Sequence, residues 1–352
     1  MDWNSISLIS YLAPVLLATI ATLGAIKTLY PIAPKFGLVD TPDHRKLHSG
    51  SIPLTGGIAL FIGLLTSLGY AGESVFYLSC ATLIVITGVL DDARDLSVKS
   101  RLFIQTSVAL SMCLLGDYEL SSLGSLIGTG NIELGWFAPA FTTIAVIAAI
   151  NAFNMIDGID DLAGSLALNT FLGMAVLFWV SGMASPLQLA IIFSAGLIPY
   201  LLTNLTIGPF KNKIFMGDAG SMLIGFTVIW LLIEGTQGTQ QAFRPVTALW
   251  LIAIPLMDMA AIMFRRIKKG QSPFKPDRDH LHHIFMRAGC SPRQALGLIS
   301  IFSIVLVGIG IAGEIYTVPE PVMLVAFLMI FFTYQYAIRH VWRFITMFNR
   351  LK

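Results

Sequence analysis

Seven aspartates, Asp91, Asp92, Asp157, Asp160, Asp161, Asp218 and Asp258, sit at the ends of apolar stretches or inside them. A carboxylate in that setting costs free energy to bury and seldom stays there without a partner. Two of the seven are adjacent in Gly88-Val-Leu-Asp91-Asp92, and neighbouring carboxylates repel unless a cation relieves them. Lys99 and Arg101 follow within ten residues and could give that relief, although a plain charged helix end has the same composition. In Asn151-Ala-Phe-Asn154-Met-Ile-Asp157-Gly158-Ile-Asp160-Asp161, amides and carboxylates recur every three or four residues. On a helix they would share a face, and Gly158 predicts a break in it. Their oxygens are hard ligands of the kind Mg²⁺ prefers. Phe215-Met-Gly217-Asp218-Ala-Gly220-Ser221 places two glycines around one aspartate, which admits a close backbone approach. A helix starting there would offer its first N–H groups to a phosphate; the bland reading is a glycine turn before a helix.

Basic and imidazole side chains form the second theme. Arg265-Arg266-Ile-Lys268-Lys269 runs on to Pro276-Asp277-Arg278-Asp279-His280-Leu-His282-His283, so three of the six histidines fall within four residues. Zinc is one reading of these imidazoles, but Cys290 is alone beside them and the local carboxylates suit Mg²⁺ equally. Donors aimed at a sugar or a diphosphate fit better next to so many arginines. Lys268 and Lys269 taken by themselves also read as a topology signal or an anchor to anionic lipid. A further mixed-charge loop, Gly37-Leu-Val-Asp40-Thr-Pro-Asp43-His44-Arg45-Lys46-Leu-His48, enters an apolar stretch through Gly56-Gly57. Cys80, Cys113 and Cys290 have no metal-type spacing and read as free thiols.

Membrane helices are the elements that must position these groups. Of the 352 residues, 55% are hydrophobic and 12% charged, with a mean hydropathy of +0.77. Soluble domains carry about 25% charged residues. Half that fraction leaves too little polar surface to face water, so the expected class is an all-α integral membrane protein. Spans are predicted at about 8–30, 54–71, 75–90, 102–116, 136–153, 163–182, 187–205, 220–234, 244–264, 296–315 and 321–341, eleven in all. The third and eighth are short enough to be tilted or partly re-entrant. Residues 1–352 then form one polytopic domain, with active-site loops at about 31–53, 91–101, 154–162, 206–221 and 265–295. The first residues lack the basic stretch of a cleaved signal, so the first span is expected to stay in the mature protein.

If the loops alternate across the membrane, 21 of the 22 basic residues fall on one side and only Arg244 on the other. Basic loops remain in the cytoplasm, which predicts a periplasmic N-terminus and a cytoplasmic C-terminus. Twelve acidic residues share the cytoplasmic side, all of them Asp, and the seven embedded ones among these point to a shared site. Oxygen ligands for a divalent ion, ringed by Arg, Lys and His at the lipid boundary, are what phosphoryl transfer from a soluble donor to a lipid acceptor requires. Both reactants are anionic, and their repulsion must be offset as they meet. No nucleic acid is expected as a partner. The rival class is a secondary transporter whose aspartates relay protons or bind Na⁺. Transport sites lie near the bilayer midplane, whereas these carboxylates gather at one face.

The whole set resembles a known family. Asp91-Asp92, Asn151-x-x-Asn154-x-x-Asp157-Gly158-x-Asp160, Gly217-Asp218-x-Gly220-Ser221 and the histidine loop, in this order over nearly the full chain, resemble the polyprenyl-phosphate N-acetylhexosamine-1-phosphate transferases of glycosyltransferase family 4. Val39-Asp40-x-Pro42-x-x-Arg45-Lys46-x-His48, Met257-Asp258 and Ser272-Pro-Phe-x-Pro276-Asp277-Arg278-x-His280-x-His282-His283 are similar to the branch that loads GlcNAc-1-phosphate onto undecaprenyl phosphate. That branch begins O-antigen and enterobacterial common antigen synthesis at the bacterial inner membrane.

The resemblance implies UDP-GlcNAc and undecaprenyl phosphate as substrates, UMP and GlcNAc-diphosphate-undecaprenol as products, dependence on Mg²⁺ or Mn²⁺, eleven helices and a homodimer. Carried over motif by motif, it implies Asp218 as metal ligand with Asn154 as a second. Asp91 and Asp92 would position or activate the acceptor phosphate. Asp157 and Asp160 would line the nucleotide pocket, with Asn151 and Asp40 among the substrate-binding groups. Arg266, His280, His282 and His283 would hold the diphosphate and sugar, supported by Lys99. Asp161 departs from the pattern, which has glycine there, and its carboxylate is expected at the rim of the site. The alternative donor is another UDP-N-acetylhexosamine or UDP-MurNAc-pentapeptide; Asp279-His280-Leu-His282-His283 differs from the Pro-Leu-His-His-His type of the latter branch.

Overall fold

The computed structural model describes residues 8–41, 50–71, 75–272 and 281–350. Among these residues the architecture is almost wholly helical, as a lipid-embedded backbone requires, since every N–H and C=O must be satisfied internally. The helices are α1 (Leu8–Leu29), α2 (Gly56–Ala71), α3 (Val75–Arg94), α4 (Val98–Gly116), α5 (Ala138–Ile156), α6 (Leu162–Ser181) and α7 (Ala184–Asn204). They continue with α8 (Gly217–Thr236), α9 (Pro245–Leu251), α10 (Ala253–Lys268), α11 (Leu281–Arg287), α12 (Pro292–Ile315) and α13 (Glu320–Arg350). One short hairpin, β1 (Val39–Asp40) against β2 (Ile52–Pro53), pairs Val39 with Pro53 and Asp40 with Ile52.

Helix α8 is the centre of the molecule. It is apolar on all sides, and every residue from Ala219 to Ile233 is buried. Helices α2, α3 and α5 pack onto it at very short range through glycine. A methyl group on Gly57 of α2 would come within 2.1 Å of the Gly220 nitrogen, and one on Gly88 of α3 within 2.3 Å of the Ala219 Cα. On α8 itself, a Cβ at Gly225 would meet the Ile150 Cα of α5 at 2.5 Å. Small residues at such crossings let backbones approach, which is how helices gain packing energy in lipid. The peripheral helices point apolar side chains outward, among them Leu12 and Ile20 of α1, Leu114 and Leu115 of α4, Ile301 and Ile304 of α12 and Phe332 of α13. That is the inverse of a water-facing surface.

Each stretch expected to span is helical here. Among the described residues, nine helices are long and apolar enough to cross a membrane, or ten if the bent pair α9–α10 counts as one span. The remaining stretch, α2, is a shorter apolar helix of 16 residues. At 1.5 Å per residue it is about 24 Å long, short of a hydrocarbon core of about 30 Å. The third and eighth stretches are unbroken as α3 and α8, and the break falls in the ninth instead, where α9 and α10 meet at 83°. Pro255 accounts for it locally. It lacks the N–H that would bond the Leu251 carbonyl, and the Thr170 hydroxyl donates to that carbonyl instead, at 2.9 Å. At the end of the molecule away from the aspartates, Arg244 clasps Glu314 at 3.1 Å and donates to the carbonyls of Val318 and Gly313.

Candidate active site

Asp91 and Asp92 lie on the last turn of α3. Asp91 is 5% exposed; its Oδ1 accepts the Leu96 N–H at 2.8 Å and its Oδ2 accepts from the Arg101 guanidinium at 2.6 Å. The tight link into α4, with Asp95 at φ +51° and Ser97 capping the new helix through the Ser100 N–H, turns Arg101 back towards Asp91. Arg101 is therefore the cation that relieves the pair, while Lys99 stands exposed on the first turn of α4. The carboxylate of Asp92 reaches α8, where Oδ1 accepts the Asp218 N–H at 2.8 Å and Oδ2 the Ala219 N–H at 3.2 Å.

The start of α8, which the sequence left open as a phosphate site or a plain glycine turn, is thus engaged in part by the Asp92 carboxylate. The first N–H groups of a helix have no partner within it, and here a protein carboxylate takes two of them. Asp92 can do so because α3 approaches α8 so closely at Gly88, and Gly217, at φ +70°, turns the chain against the Asp92 carboxylate. The segment before α8 is fixed from the other side by the hairpin loop. The Phe215 N–H donates to the Pro53 carbonyl, and the N–H groups of Gly56 and Gly57 donate to the carbonyls of Phe215 and Met216, all at 2.9 Å. Asp40 sits half-buried in β1 of that hairpin.

Opposite α3, Asn154 of α5 donates through Nδ2 to Asp218 Oδ1 at 2.7 Å and to the Ser221 hydroxyl at 3.0 Å. The carboxylates of Asp91 and Asp218 are direct neighbours, and Asp92 and Asp157 lie within electrostatic reach of Asp218. Asp91, Asp92, Asn154, Asp157 and Asp218 thus form one cluster drawn from three helices. Asn151, one turn earlier on α5, is not part of it: its amide donates to Gln105 of α4 at 3.0 Å and to the Ile147 carbonyl.

Helix α5 ends at Ile156, and residues 157–161 make the expected break at Gly158. Burial pushes the Asp157 carboxyl up to about 7, and the charges of Asp218 and Asp160 add to the shift. Asp160 is half-exposed and ion-paired with Lys213. Together with Asn204, Thr206 and Arg293 these two line a cleft of about 70 Å³. Asp161 is not at the rim, as expected, but buried at 1% exposure in the left-handed backbone conformation, φ +61°. Both carboxylate oxygens lack a well-formed hydrogen bond, although the Tyr200 hydroxyl faces them. Burial and then the charges of Asp160 and Asp157 push this carboxyl up to about 8, against the opposing pull of Lys213.

Arg266 is buried near the end of α10, eight residues after the fully buried Asp258. His280 lies outside the described residues, as do the side chains of His282 and His283 at the start of α11, and Asp43, His44, Arg45, Lys46 and His48 of the first loop. The partners Gln105, Tyr200 and Lys213 were not singled out from the sequence, whereas Arg101 was named as a cation for the Asp91–Asp92 pair and Ser221 stood in the motif around Asp218. Arg101 carried a signal, being ten residues from Asp91 across a short turn, whereas Lys213 is 53 residues from Asp160 and had none.

Comparison with known proteins adds a separate line of support. The sequence profile described as glycosyl transferase family 4 matches residues 74–236, from α3 through α8. Undecaprenyl-phosphate alpha-N-acetylglucosaminyl 1-phosphate transferase of Escherichia coli (strain K12) is 48% identical over 326 residues, covering 91% of this chain and 89% of that protein. The protein of the same name from Salmonella typhi matches to the same extent, at 48% over 91% of this chain and 89% of its own length. Its counterpart in Haemophilus influenzae is 45% identical over 339 residues, 94% of this chain and 95% of that one. Identity at that level extends well beyond the aspartate-bearing helices to nearly the whole sequence, and the chain belongs to glycosyl transferase family 4.

Proposed function

We propose that this protein transfers GlcNAc-1-phosphate from UDP-GlcNAc to undecaprenyl phosphate, releasing UMP and leaving GlcNAc-diphosphate-undecaprenol in the membrane. The observation that carries the reading is the cluster of Asp91, Asp92, Asn154, Asp157 and Asp218, with Asp91 buried and the others half-buried, at one end of a lipid-facing helix bundle, in a chain 48% identical to proteins named for this transfer. The reaction takes place on the cytoplasmic face of a bacterial inner membrane, with eleven spans, the N-terminus periplasmic and the C-terminus cytoplasmic. It supplies the first lipid-linked sugar of O-antigen or enterobacterial common antigen, and two copies of the chain pair as a homodimer.

The donor set suits Mg²⁺, with Mn²⁺ as a substitute. Asp91 and Asp218 face each other as hard oxygen ligands, Asn154 stands beside them, and Arg101 is the cation bonded to Asp91. Among the described residues no three acidic, imidazole or thiol groups already surround one point. Asp218, with Asn154 and Asp91, would hold the ion, and when bound it supplies charge neutralisation for the two phosphates. Asp92 positions Asp218 by holding the start of α8. Asp157 and Asp160 flank the nucleotide, with Lys213 beside Asp160. Arg266, His280, His282 and His283 hold the diphosphate and sugar, and Lys99 supports them from the surface.

A phosphate monoester with a second pKa of about 6 is mostly dianionic near neutrality. A phosphate oxygen of the lipid therefore attacks the sugar-side phosphorus without a general base. The bond from that phosphorus to the bridging oxygen breaks, and UMP leaves with the electron pair. UMP exchange into UDP-GlcNAc in the absence of lipid acceptor would instead require an aspartate that takes the GlcNAc-phosphate group as UMP leaves.

The decisive experiment combines purified protein in detergent, undecaprenyl phosphate, Mg²⁺ and a panel of UDP-sugars, with UMP release as readout. Release with UDP-GlcNAc, abolished by EDTA and reduced at least about a hundredfold by Asp218→Ala, is the expected result, since electrostatic groups of this kind contribute about 10²–10³ in rate. Release only with UDP-MurNAc-pentapeptide would move the protein to another branch of the family. No UMP from any donor, in a folded preparation, would reopen the transporter reading.

A further inference from the structure

Asp161 is a buried titratable residue to which the proposed transfer gives no part, and it is costly to keep. It is 1% exposed, its backbone is left-handed at φ +61°, and among the described residues neither carboxylate oxygen has a well-formed hydrogen bond. An aspartate standing just before a helix ordinarily turns its carboxylate onto the first N–H groups of that helix. Asp161 precedes α6 and makes no such cap; its carboxyl faces the Tyr200 hydroxyl of α7 instead. Strained and under-bonded residues of this kind persist where the surrounding structure over-determines them, and they concentrate at functional sites.

Tyr200 is a fixed point for that contact. It is buried, and its ring stands against both α2 and α6: a Cβ at Gly56 would meet it at 2.6 Å and one at Gly164 at 3.0 Å. One turn further along α7, the Asn204 amide donates to the Tyr200 hydroxyl oxygen at 3.3 Å and to the Ile214 carbonyl at 2.7 Å. With Asn204 bonded to its oxygen, the Tyr200 hydroxyl keeps its own proton for the Asp161 carboxyl. Ile214 adjoins Lys213, and Asp161 adjoins Asp160. One turn of α7 therefore touches the chain neighbours of both members of the ion pair that lines the cleft. Burial and then the charges of Asp160 and Asp157 keep the Asp161 carboxyl largely neutral near pH 7, which leaves Lys213 to Asp160.

We infer that Asp161 is a positioning residue for donor binding: with Tyr200 it pins the 157–161 turn to α7 and so holds Asp160 opposite Lys213 in the cleft. The inference rests on the phosphotransferase reading for the identity of the donor, and on the geometry of the turn and α7 for the pinning itself. Asp161 touches no substrate in this assignment; its effect runs through Asp160.

The test measures KM and kcat for UDP-GlcNAc by UMP release, with the full-length protein in detergent. Tyr200→Phe removes only the hydroxyl and is expected to raise KM about three- to tenfold, the loss of one hydrogen bond, with kcat within about twofold. Asp161→Gly is expected to raise KM to a similar extent while unfolding at a higher temperature than the wild type, a combination that a merely structural role would not give. Asp161→Asn keeps an oxygen acceptor and is expected to restore KM to within about twofold of wild type. The double variant Tyr200→Phe/Asp161→Gly is expected to have no higher KM than either single one, since both remove the same contact. Wild-type KM in Asp161→Gly, or increases that multiply in the double variant, overturns the inference, and Asp161→Gly decides it even if Tyr200→Phe fails to fold. Absence of UMP release by the wild type from any UDP-sugar would defeat the functional reading instead, and hydrogen exchange would then decide the pinning. The Gly158 and Leu162 amides, bonded to the Ile156 and Ile159 carbonyls, are expected to exchange faster in Tyr200→Phe, and unchanged exchange there overturns the pinning.

Discussion

Asp161 stands where the family resemblance implies glycine, and its surroundings explain why glycine would suit the position. The backbone is left-handed there, at φ +61°, and the carboxylate is buried beside Asp157 and Asp160. A non-glycine residue in that conformation costs about 1–3 kcal/mol, and a buried carboxyl without good partners adds to it. Asp161→Gly is therefore expected to raise stability by about 1–3 kcal/mol near pH 7. The gain should depend on pH. With the folded carboxyl at about 8 against an ordinary 3.8, the unfolded chain binds fewer protons than the native one between those values. Stability of the wild type then falls as pH rises from about 4 towards 8, so the Asp161→Gly advantage is larger at pH 8 than at pH 5. Thermal unfolding in detergent at both pH values measures it, and an advantage independent of pH would remove the carboxyl as its cause. Lys213 offers a contrast. Its pair with Asp160 is partly exposed, so Lys213→Ala should change stability by less than about 1 kcal/mol. Its place in the cleft predicts a raised KM for UDP-GlcNAc, read in the UMP assay.

At the scale of elements, the cluster depends on how closely α2 and α3 approach α8. Backbone faces backbone at Gly57 and Gly88, so neither side has a flexible side chain that could move aside. Gly57→Ala and Gly88→Ala are each expected to cost at least about 1–3 kcal/mol by overpacking. Displacing the start of α8 should also move Asp218 off Asp92 and reduce UMP release. Gly69 on the same helix α2 faces open space. Gly69→Ala should be neutral or stabilise by up to about 1 kcal/mol, because alanine loses less backbone entropy in a helix. A Gly57→Ala variant as stable as Gly69→Ala would mean that the α2–α8 contact is looser than its geometry. The bend between α9 and α10 belongs to the same scale. Pro255 removes one helix hydrogen bond, Thr170 of α6 compensates, and α10 is thereby redirected to carry Asp258 and Arg266.

For the whole molecule, the proposed orientation can be tested without any assay of activity. Gly128→Cys, in the long loop between α4 and α5, should react with a membrane-impermeant thiol reagent in right-side-out vesicles. Ser272→Cys, at the end of the α10 side, should react only in inverted ones. Both would be made with Cys290 replaced, since it alone of the three cysteines is not buried. The reverse pattern would place the aspartates outside and exclude a cytoplasmic donor. Much of this architecture was legible in the sequence, because membrane insertion is governed by local composition: a run of apolar residues must be helical in lipid wherever it lies in the chain. The aspartates and amides were legible for the related reason that polar groups in such runs demand partners. What those partners are was a tertiary matter. Asp92 holding α8, Asn154 reaching Asp218 across 64 residues, Lys213 meeting Asp160 and Asp258 joining α11 to α13 all depend on which helices touch. Close backbone approaches at glycines between distant segments, where an added methyl group would overlap the neighbouring helix, decide that, and hydropathy does not encode them. The sequence by itself determined the membrane class, the helical stretches and the residues capable of chemistry; only the packing around α8 decided which of them act on one another, because hydrogen bonds and charges operate over a few ångströms in space and not along the chain.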